Sequence, residues 1–158
     1  MSAAYVALGA NLGDPASTLR AAFGALANLP DSKVIRCSSL YRTAPVGIVD
    51  QPEFVNAVTL LATTLAPGAL LEELLEIERR FGRLRGEKNG PRTLDLDLLL
   101  YDDCHVELPE LTLPHPRLHL RAFVLQPLAE IAPDLHLPGR GPISAWLPAV
   151  ANQGCVRL

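Results

Sequence analysis

Two aspartates separated by one leucine form the part of the sequence best suited to chemistry. Asp95 and Asp97 alternate with leucines in the segment Leu94-Asp95-Leu96-Asp97-Leu98. On a β-strand this alternation places both carboxylates on one face and the leucines on the other. Mg²⁺ is commonly bound by one or two carboxylates, while water and phosphate oxygens complete its coordination. The pair therefore predicts a magnesium site, although a solvated strand face would show the same spacing.

A basic, glycine-containing segment comes directly before the aspartates, with Arg83, Arg85, Lys88 and Arg92 inside residues 83–92. Arginine forks match phosphate oxygens, so these cations beside a metal–carboxylate pair indicate a polyphosphate clamp. A solvated basic loop is the alternative for each arginine. The chain has no G-x-x-x-x-G-K-[ST] motif and no kinase glycine-rich loop. A bound ATP would therefore occupy neither a P-loop nor a protein-kinase site.

Four further residues are candidates on weaker grounds. Phe54 and Asn56 would share one face of a strand, where they form either a stacking surface with an amide beside it or a core aromatic with an edge polar group. Glu78 lies next to the apolar stripe of a predicted helix and could be a partly buried carboxylate at the edge of a cleft. His115 stands between two prolines, a context that says little by itself.

The elements that must position these residues follow from hydrophobic periodicity and from capping residues such as Asp14 before Pro15. Strands are predicted at 4–9, 34–41, 54–61 and 93–101, and helices at 15–29, 67–81 and 122–131, with a short helical segment at 144–147. The order is strand, helix, two strands, helix, strand, then extra C-terminal helices. It predicts the α+β class, with a ferredoxin-like βαββαβ antiparallel sheet and helices packed on one face.

Composition narrows the classes of protein that fit. The 158 residues suit a single domain, and 49% of them are apolar, which argues against disorder. The net charge of -3 gives no general nucleic-acid surface. The three cysteines are odd in number and far apart, so they fit neither a disulfide framework nor a zinc site. With no predicted membrane span or signal peptide, we expect a cytoplasmic protein, with a monomer as the default.

Several of these segments resemble one family in their order and approximate spacing. The most specific is Gly90-Pro91-Arg92-Thr93-Leu94-Asp95-Leu96-Asp97. The other matching segments are residues 7–13, 39–45, 50–56 and 113–116. Together they are similar to the 6-hydroxymethyl-7,8-dihydropterin pyrophosphokinase family of folate biosynthesis, across nearly the whole chain. The resemblance implies one pyrophosphokinase domain over residues 1–158 that transfers diphosphate from ATP to the pterin hydroxymethyl group and releases AMP.

The resemblance also implies roles for individual residues. Two Mg²⁺ ions would be held by Asp95 and Asp97, which with Arg83 and Arg92 form the catalytic set. The pterin would be sandwiched by Phe54 and Phe123 and hydrogen-bonded by Asn56 and by the backbone of Thr43, Ala44 and Val46. The ATP site would be lined by Glu78, Arg85, Arg92, His115 and Arg121. Two positions depart from the family pattern: Asn89, where many members carry an aromatic residue, and Pro116, where some carry tyrosine.

Two other hypotheses fit the same aspartates and arginines. A magnesium-dependent nucleotidyl transferase would release inorganic pyrophosphate, although the glycine–serine loop of common members is missing. A ferredoxin-like binding module would sense a nucleotide or a metal without turnover. The Phe54–Asn56 pair and the long proline-containing segment before it suggest a second substrate, and they argue against the binding module.

Overall fold

The computed structural model describes residues 1–43, 52–82 and 93–158. The strands are β1 (Ser2–Ala10), β2 (Ser32–Cys37), β3 (Tyr41–Thr43), β4 (Phe54–Thr63), β5 (Asp95–Tyr101), β6 (Val106–Leu108), β7 (Leu111–Leu113), β8 (His136–Leu137), β9 (Gly141–Pro142) and β10 (Cys155–Arg157). The helices are α1 (Pro15–Ala27), α2 (Pro67–Arg80), α3 (Ala122–Ile131) and α4 (Leu147–Val150), with 3₁₀ turns at Leu118–Leu120 and Ile143–Ala145.

Six strands form one antiparallel sheet in the order β10-β3-β4-β1-β5, with β2 also paired to β4. The long strand β4 is therefore central: β1 runs along one edge of it, and β2 and β3 share the other. The predicted antiparallel sheet of a mixed helix-and-strand protein is confirmed. Two small hairpins, β6–β7 and β8–β9, lie outside this sheet and were not predicted.

The single strand predicted at 34–41 is divided into β2 and β3. At the division, Ser38 donates its backbone N–H to the Val58 carbonyl at 2.8 Å, and its Oγ accepts the Val58 N–H at 2.9 Å. A side chain thus replaces one rung of the backbone ladder, so both strands can pair with β4 without continuous pairing between them. The other three predicted strands are observed, with ends that differ by one or two residues.

Helices α1 and α2 begin where the sequence predicts. The Asp14 carboxylate accepts hydrogen bonds from the Ser17 N–H at 3.3 Å and the Ser17 hydroxyl at 2.8 Å, which lower its pKa, and Pro15 occupies the first turn. Each helix buries the stripe that periodicity indicates. The fully buried residues are Leu19, Ala22 and Leu26 on α1, and Leu70, Leu74 and Ile77 on α2.

Helices α1 and α2 of the predicted βαββαβ unit cover one face of the sheet, and the extra C-terminal helices α3 and α4 cover the other. The buried residues of α1 and α2 join one apolar cluster with Leu8, Ala57 and Leu96. Those of α3 and α4 join a second cluster with Val58, Leu99 and Leu100. Because neighbours along a strand point to opposite faces, Ala57 and Val58 mark the two sides. The consecutive leucines Leu99 and Leu100 supply apolar surface for α3 where the alternation of β5 breaks down at a register shift.

In the ranges that the structure describes, no helix combines the length and apolar character required to cross a membrane.

Candidate active site

The sheet register brings the predicted site residues together around Gly9. This glycine of β1 lies opposite Asn56 on β4 and opposite Asp95 on β5, while Ala7 lies opposite Asp97. Residues in register share a face, and adjacent strands are about 4.8 Å apart. The amide of Asn56 and the two carboxylates therefore lie on the α3 side of the sheet, with one strand between them.

We call one end of this site the amide side and define it by Thr43, Phe54 and Asn56. The Thr43 hydroxyl donates to Asn56 Oδ1 at 2.8 Å, and both residues are buried. A Cβ atom at Gly9 would lie only 2.8 Å from Asn56 Nδ2. The Asn56 amide is thus oriented at its oxygen by the hydrogen bond from Thr43, and at its nitrogen it packs against the backbone of Gly9, which has no side chain. The absence of a side chain at Gly9 is a condition of that orientation.

Two aromatic side chains belong to this region of the molecule. Phe54 lies directly opposite Thr43 in the register of β3 and β4, and Phe123 lies in the first turn of α3. Both are half-buried. The Arg121 guanidinium carbon lies 5.3 Å from the centre of the Phe123 ring, within the range of a cation–π contact. Phe123 therefore contacts one of the charged groups described next.

We call the other end the acidic side and define it by Asp95, Asp97, His115 and Arg121. Both aspartates are half-buried on β5. Burial lowers the pKa of Arg121, and the neighbouring Asp97 and Asp95 oppose that shift while Arg117 adds to it. Arg121 therefore lies close enough to both carboxylates to interact with their charge. The carboxylate pair and the arginine, which the sequence placed about 25 residues apart, belong to one electrostatic cluster.

His115 is neutral at physiological pH. Burial lowers its pKa to about 4, and the positive charges of Arg121 and Arg117 add to the effect against the opposing Asp95. Its Nδ1 accepts the Arg117 N–H at 3.2 Å. The ring proton must then be on Nε2, which makes that atom a hydrogen-bond donor. The backbone N–H of His115 is bonded to the Leu99 carbonyl at 2.9 Å, so β5 holds the histidine in place.

Glu78 supports β5 from the opposite face of the sheet. It is 2% exposed, and its Oε2 accepts the Leu96 N–H at 2.7 Å. Leu96 stands between the two aspartates. The Glu78 carboxylate is therefore buried at β5, where it holds the backbone that carries Asp95 and Asp97, and its location at the edge of a cleft stays a prediction.

A cavity of about 240 Å³ adjoins the acidic side. It lies between β5, α2 and the β6–β7 hairpin, and its walls combine apolar side chains with Asp97 and His115. The other lining residues are Leu71, Leu96, Leu98, Pro109, Glu110, Leu111, Thr112 and Pro116. This cavity was not predicted, because the β6–β7 hairpin that forms one of its walls was not predicted.

The donor set at Asp95 and Asp97 fits a hard divalent cation. Two carboxylates on one strand face are typical ligands of Mg²⁺. Within residues 1–43, 52–82 and 93–158, no group of three His, Cys, Asp or Glu side chains could hold a metal ion. Among the described residues, a cation at this pair would therefore have two carboxylates as its candidate ligands.

Five of the predicted site residues lie outside the described residues: Ala44, Val46, Arg83, Arg85 and Arg92. Their roles stay predictions, as does any effect of Asn89. Sequence reasoning assigned no role to Gly9, although a glycine inside a strand can mark a close approach of another group. It also missed Asn11, which is 1% exposed and donates from Nδ2 to the Pro52 carbonyl at 3.0 Å. This bond ties the end of β1 to the chain entering β4.

The fold and the site together define a mixed α/β protein with two aspartates and a buried amide on the α3 face of an antiparallel sheet. The family described as 7,8-dihydro-6-hydroxymethylpterin-pyrophosphokinase matches residues 5–133. The chain belongs to this family.

Two curated relatives agree with that membership. The chain is 47% identical over 154 residues to the 2-amino-4-hydroxy-6-hydroxymethyldihydropteridine pyrophosphokinase of Pseudomonas aeruginosa, covering 98% of this chain and 95% of the relative. It is 43% identical over 158 residues to the protein of the same name in Haemophilus influenzae, covering 100% and 99% respectively.

Solved structures support the fold alone. A crystal structure described as HPPK-DHPS in complex with substrates superposes with a TM-score of 0.79 at 14% identity. It covers 99% of this chain, and this chain spans 46% of that longer one.

Proposed function

We propose that this chain transfers the β,γ-diphosphate of ATP to the hydroxymethyl oxygen of 6-hydroxymethyl-7,8-dihydropterin and releases AMP, as one pyrophosphokinase domain over residues 1–158. The family membership supports pyrophosphokinase activity in folate biosynthesis. The structural observation that best supports the proposal is the position of Gly9 in the sheet. It lies opposite Asn56 on one neighbouring strand and opposite Asp95 on the other. A pterin at the amide and a triphosphate at the carboxylates would meet across one strand.

The amide side suits a pterin. A flat ring with an amide-like edge is complemented by aromatic faces, here Phe54 and Phe123, and by an amide that donates and accepts, here Asn56. Because Thr43 occupies Asn56 Oδ1 from one direction, Nδ2 and the remaining lone pair of the oxygen are the groups left to meet a ligand. The backbone of Thr43, Ala44 and Val46 would complete the recognition of the polar edge.

The acidic side suits Mg-ATP. Asp95 and Asp97 would hold the two Mg²⁺ ions, which supply charge neutralisation for the triphosphate. Arg121 and the Nε2–H of His115 would donate to phosphate or ribose oxygens, and Arg83, Arg85 and Arg92 would add cations. The adjoining cavity, with leucines on its walls, would take the base of the nucleotide. Phosphoryl transfer depends chiefly on positioning and electrostatics, so these residues need not include a dedicated general base.

We also infer that the sheet has ferredoxin-like connectivity. When β2 and β3 are counted as one strand position, the chain runs strand, helix, two strands, helix, strand. The order across the sheet is then second, third, first and fourth, with antiparallel neighbours. This order supports the split βαβ arrangement that the sequence predicts. We propose that the protein acts as a cytoplasmic monomer on small-molecule substrates.

The test is product analysis with ATP, Mg²⁺ and 6-hydroxymethyl-7,8-dihydropterin. We expect AMP and the diphosphorylated pterin in equal amounts, and no turnover after chelation of the metal. Release of ADP would identify an ordinary kinase instead, and release of inorganic pyrophosphate a nucleotidyl transferase. Binding of Mg-ATP without its consumption would identify a binding module.

A further inference from the structure

Gln153, near the C-terminal strand, forms two hydrogen bonds that bracket Arg121. Its Oε1 accepts the Ala122 N–H at 2.9 Å, and its Nε2 donates to the Leu120 carbonyl at 3.1 Å. The two contacts are made by one planar amide, to the peptide groups immediately before and after Arg121. Gln153, more than thirty positions away in sequence, thus holds the backbone on both sides of Arg121, a residue of the acidic side.

The contacts constrain the two backbone torsions that aim the Arg121 side chain. Its φ of -123° and ψ of 118° are extended values, and they describe the rotation of the two flanking peptide planes. Gln153 is bonded to both planes, so a change in either torsion would lengthen one of its hydrogen bonds. The Arg121 carbonyl is held as well, because it accepts the N–H groups of Val124 at 3.1 Å and Leu125 at 2.9 Å.

The first backbone N–H of α3, that of Ala122, depends on Gln153 for its hydrogen-bond acceptor. Arg121 is the N-cap residue, and its side chain makes no capping hydrogen bond. Ala122 is 1% exposed, so its N–H would lack access to water if Gln153 were replaced. A buried donor without a partner is costly, and the helix start would shift to find one. Any such shift would move Arg121.

Gln153 is itself anchored on both sides. Its backbone N–H bonds to the Val150 carbonyl at 3.2 Å at the end of α4. The next residue, Gly154, has a φ of 74° and turns the chain into β10, where Cys155 pairs with Thr43. The C-terminal segment therefore contacts the amide side through β10 and the acidic side through Gln153.

We propose that Gln153 is a positioning residue for the diphosphate transfer, acting through Arg121 by holding the peptide groups on both sides of it. The proposal rests on the proposed function, because it assigns Arg121 to the nucleotide. Gln153 itself need not touch either substrate.

The experiment compares Gln153→Met with Gln126→Met. Methionine matches glutamine in length and lacks both the donor and the acceptor, and Gln126 is a half-buried glutamine on α3 that serves as the matched control. Steady-state AMP release is measured for both variants, alone and in an Arg121→Ala background. Fluorescence of the single tryptophan, Trp146, and the thermal midpoint report whether each variant is folded.

We expect Gln153→Met to lower kcat/KM for Mg-ATP about tenfold, in line with the cost of misplacing a group that contacts the reacting region. Gln126→Met should change it less than about twofold. In the Arg121→Ala background, Gln153→Met should cost less than about a further twofold, because two residues that act as one unit are not additive. An unchanged kcat/KM, or a loss of equal size in both backgrounds, would overturn the proposal.

Should Gln153→Met fail to fold, Gln153→Glu takes its place, because it keeps an acceptor for Ala122, while a carboxylate oxygen and a negative charge replace the donor to Leu120. We expect it to fold and to lose about threefold in kcat/KM, and full activity in this variant would count against the proposal. If the wild-type chain releases no AMP, the proposed function fails before Gln153 is tested.

Discussion

The two sides of the site are built from different kinds of interaction. On the amide side, Asn56 is oriented by a neutral hydrogen bond from Thr43 and by close contact with the backbone of Gly9. On the acidic side, Arg121 and His115 have pKa values displaced by burial and by nearby charges. Shape should therefore control the first side, and charge the second. Substitutions that alter one property at a time test that division.

The largest effect is expected from Asp97→Ala. Removal of one carboxylate of the proposed metal pair should abolish turnover, with a loss of at least about 10³-fold, since neutralisation of the phosphates is a main source of the acceleration. The fold should remain, because the variant removes one of two adjacent like charges. Turnover and the thermal midpoint are measured with and without Mg²⁺.

Asp103→Ala is the matched control for Asp97→Ala, since Asp103 is exposed just beyond the end of β5. It should keep wild-type turnover. An Asp97→Ala chain that cannot fold under either condition would indicate a structural role for the carboxylate.

Gly9→Ala should damage the amide side selectively. The added methyl group would lie 2.8 Å from Asn56 Nδ2, so the amide must move and lose its bond to Thr43. We expect the KM for the pterin to rise about tenfold or more and the KM for ATP to change little, with a loss of stability of about 1–3 kcal/mol. Steady-state kinetics with each substrate varied in turn separate the two constants.

Gly24→Ala provides the contrast to Gly9→Ala, because a Cβ there would meet no described atom within 4 Å and the position lies inside α1. It should stabilise the protein by about 0.5–1 kcal/mol and leave both KM values unchanged. Equal increases of both KM values in Gly9→Ala would show that the two sides are not independent.

Thr43→Val should have a smaller effect on the same side. The substitution keeps the shape of the side chain and removes the hydroxyl donor to Asn56 Oδ1. The unfolding free energy should fall by about 1–3 kcal/mol, and the KM for the pterin should rise severalfold. Thr43→Ser, which restores the donor, should recover most of both losses. Urea unfolding and pterin kinetics on the three proteins decide whether the hydroxyl is responsible.

The smallest effect concerns pH and the acidic side. The pKa of His115 is about 4 in the folded protein, against 6.5 for the ordinary side chain. Between these values the unfolded chain binds a proton that the folded chain does not. The stability that the neutral ring contributes is therefore present above about pH 6.5 and is lost as the pH falls toward about 4. The unfolding free energy, measured in urea without metal, should decline less in His115→Gln than in wild type between pH 7 and 5. Identical declines would mean that the ring is not held neutral.

Local sequence patterns predicted local features well. Leucine–aspartate alternation correctly placed Asp95 and Asp97 on one strand face, and the stripe of α2 correctly placed Glu78 at its buried edge. Sequence could not show that the Glu78 carboxylate bonds to the Leu96 N–H, because that contact depends on how α2 packs against β5. The division between β2 and β3 was missed for a similar reason. A serine can replace one ladder bond only where a partner strand supplies the matching N–H.

The relationships between distant segments were beyond sequence reasoning. The position of Gly9 between Asn56 and Asp95 depends on the register of three strands. The hydrogen bonds of Gln153 to the peptide groups on both sides of Arg121 depend on the path of the chain after α4. Neither has a periodic or compositional sign, since each is a contact between residues far apart in the chain. The resemblance to a family suggested roles for the residues, which stay predictions, and the strand register showed which residues are neighbours.

The central position of β4 has a consequence for how the two sides open. Hydrogen-bonded strands flank β4 on both edges, whereas β5 pairs with β1 alone among the strands of the described sheet. Amide hydrogens of β4 should therefore exchange with deuterium only through global unfolding, while those of β5 exchange through smaller openings. A ligand on the acidic side would slow amide exchange in β5 most. A ligand on the amide side would change exchange in β4 little, because β4 is already protected by strands on both edges. Deuterium uptake with and without each ligand would thus show whether the amide side on β4 is rigid before binding and whether the acidic side on β5 becomes rigid only on binding.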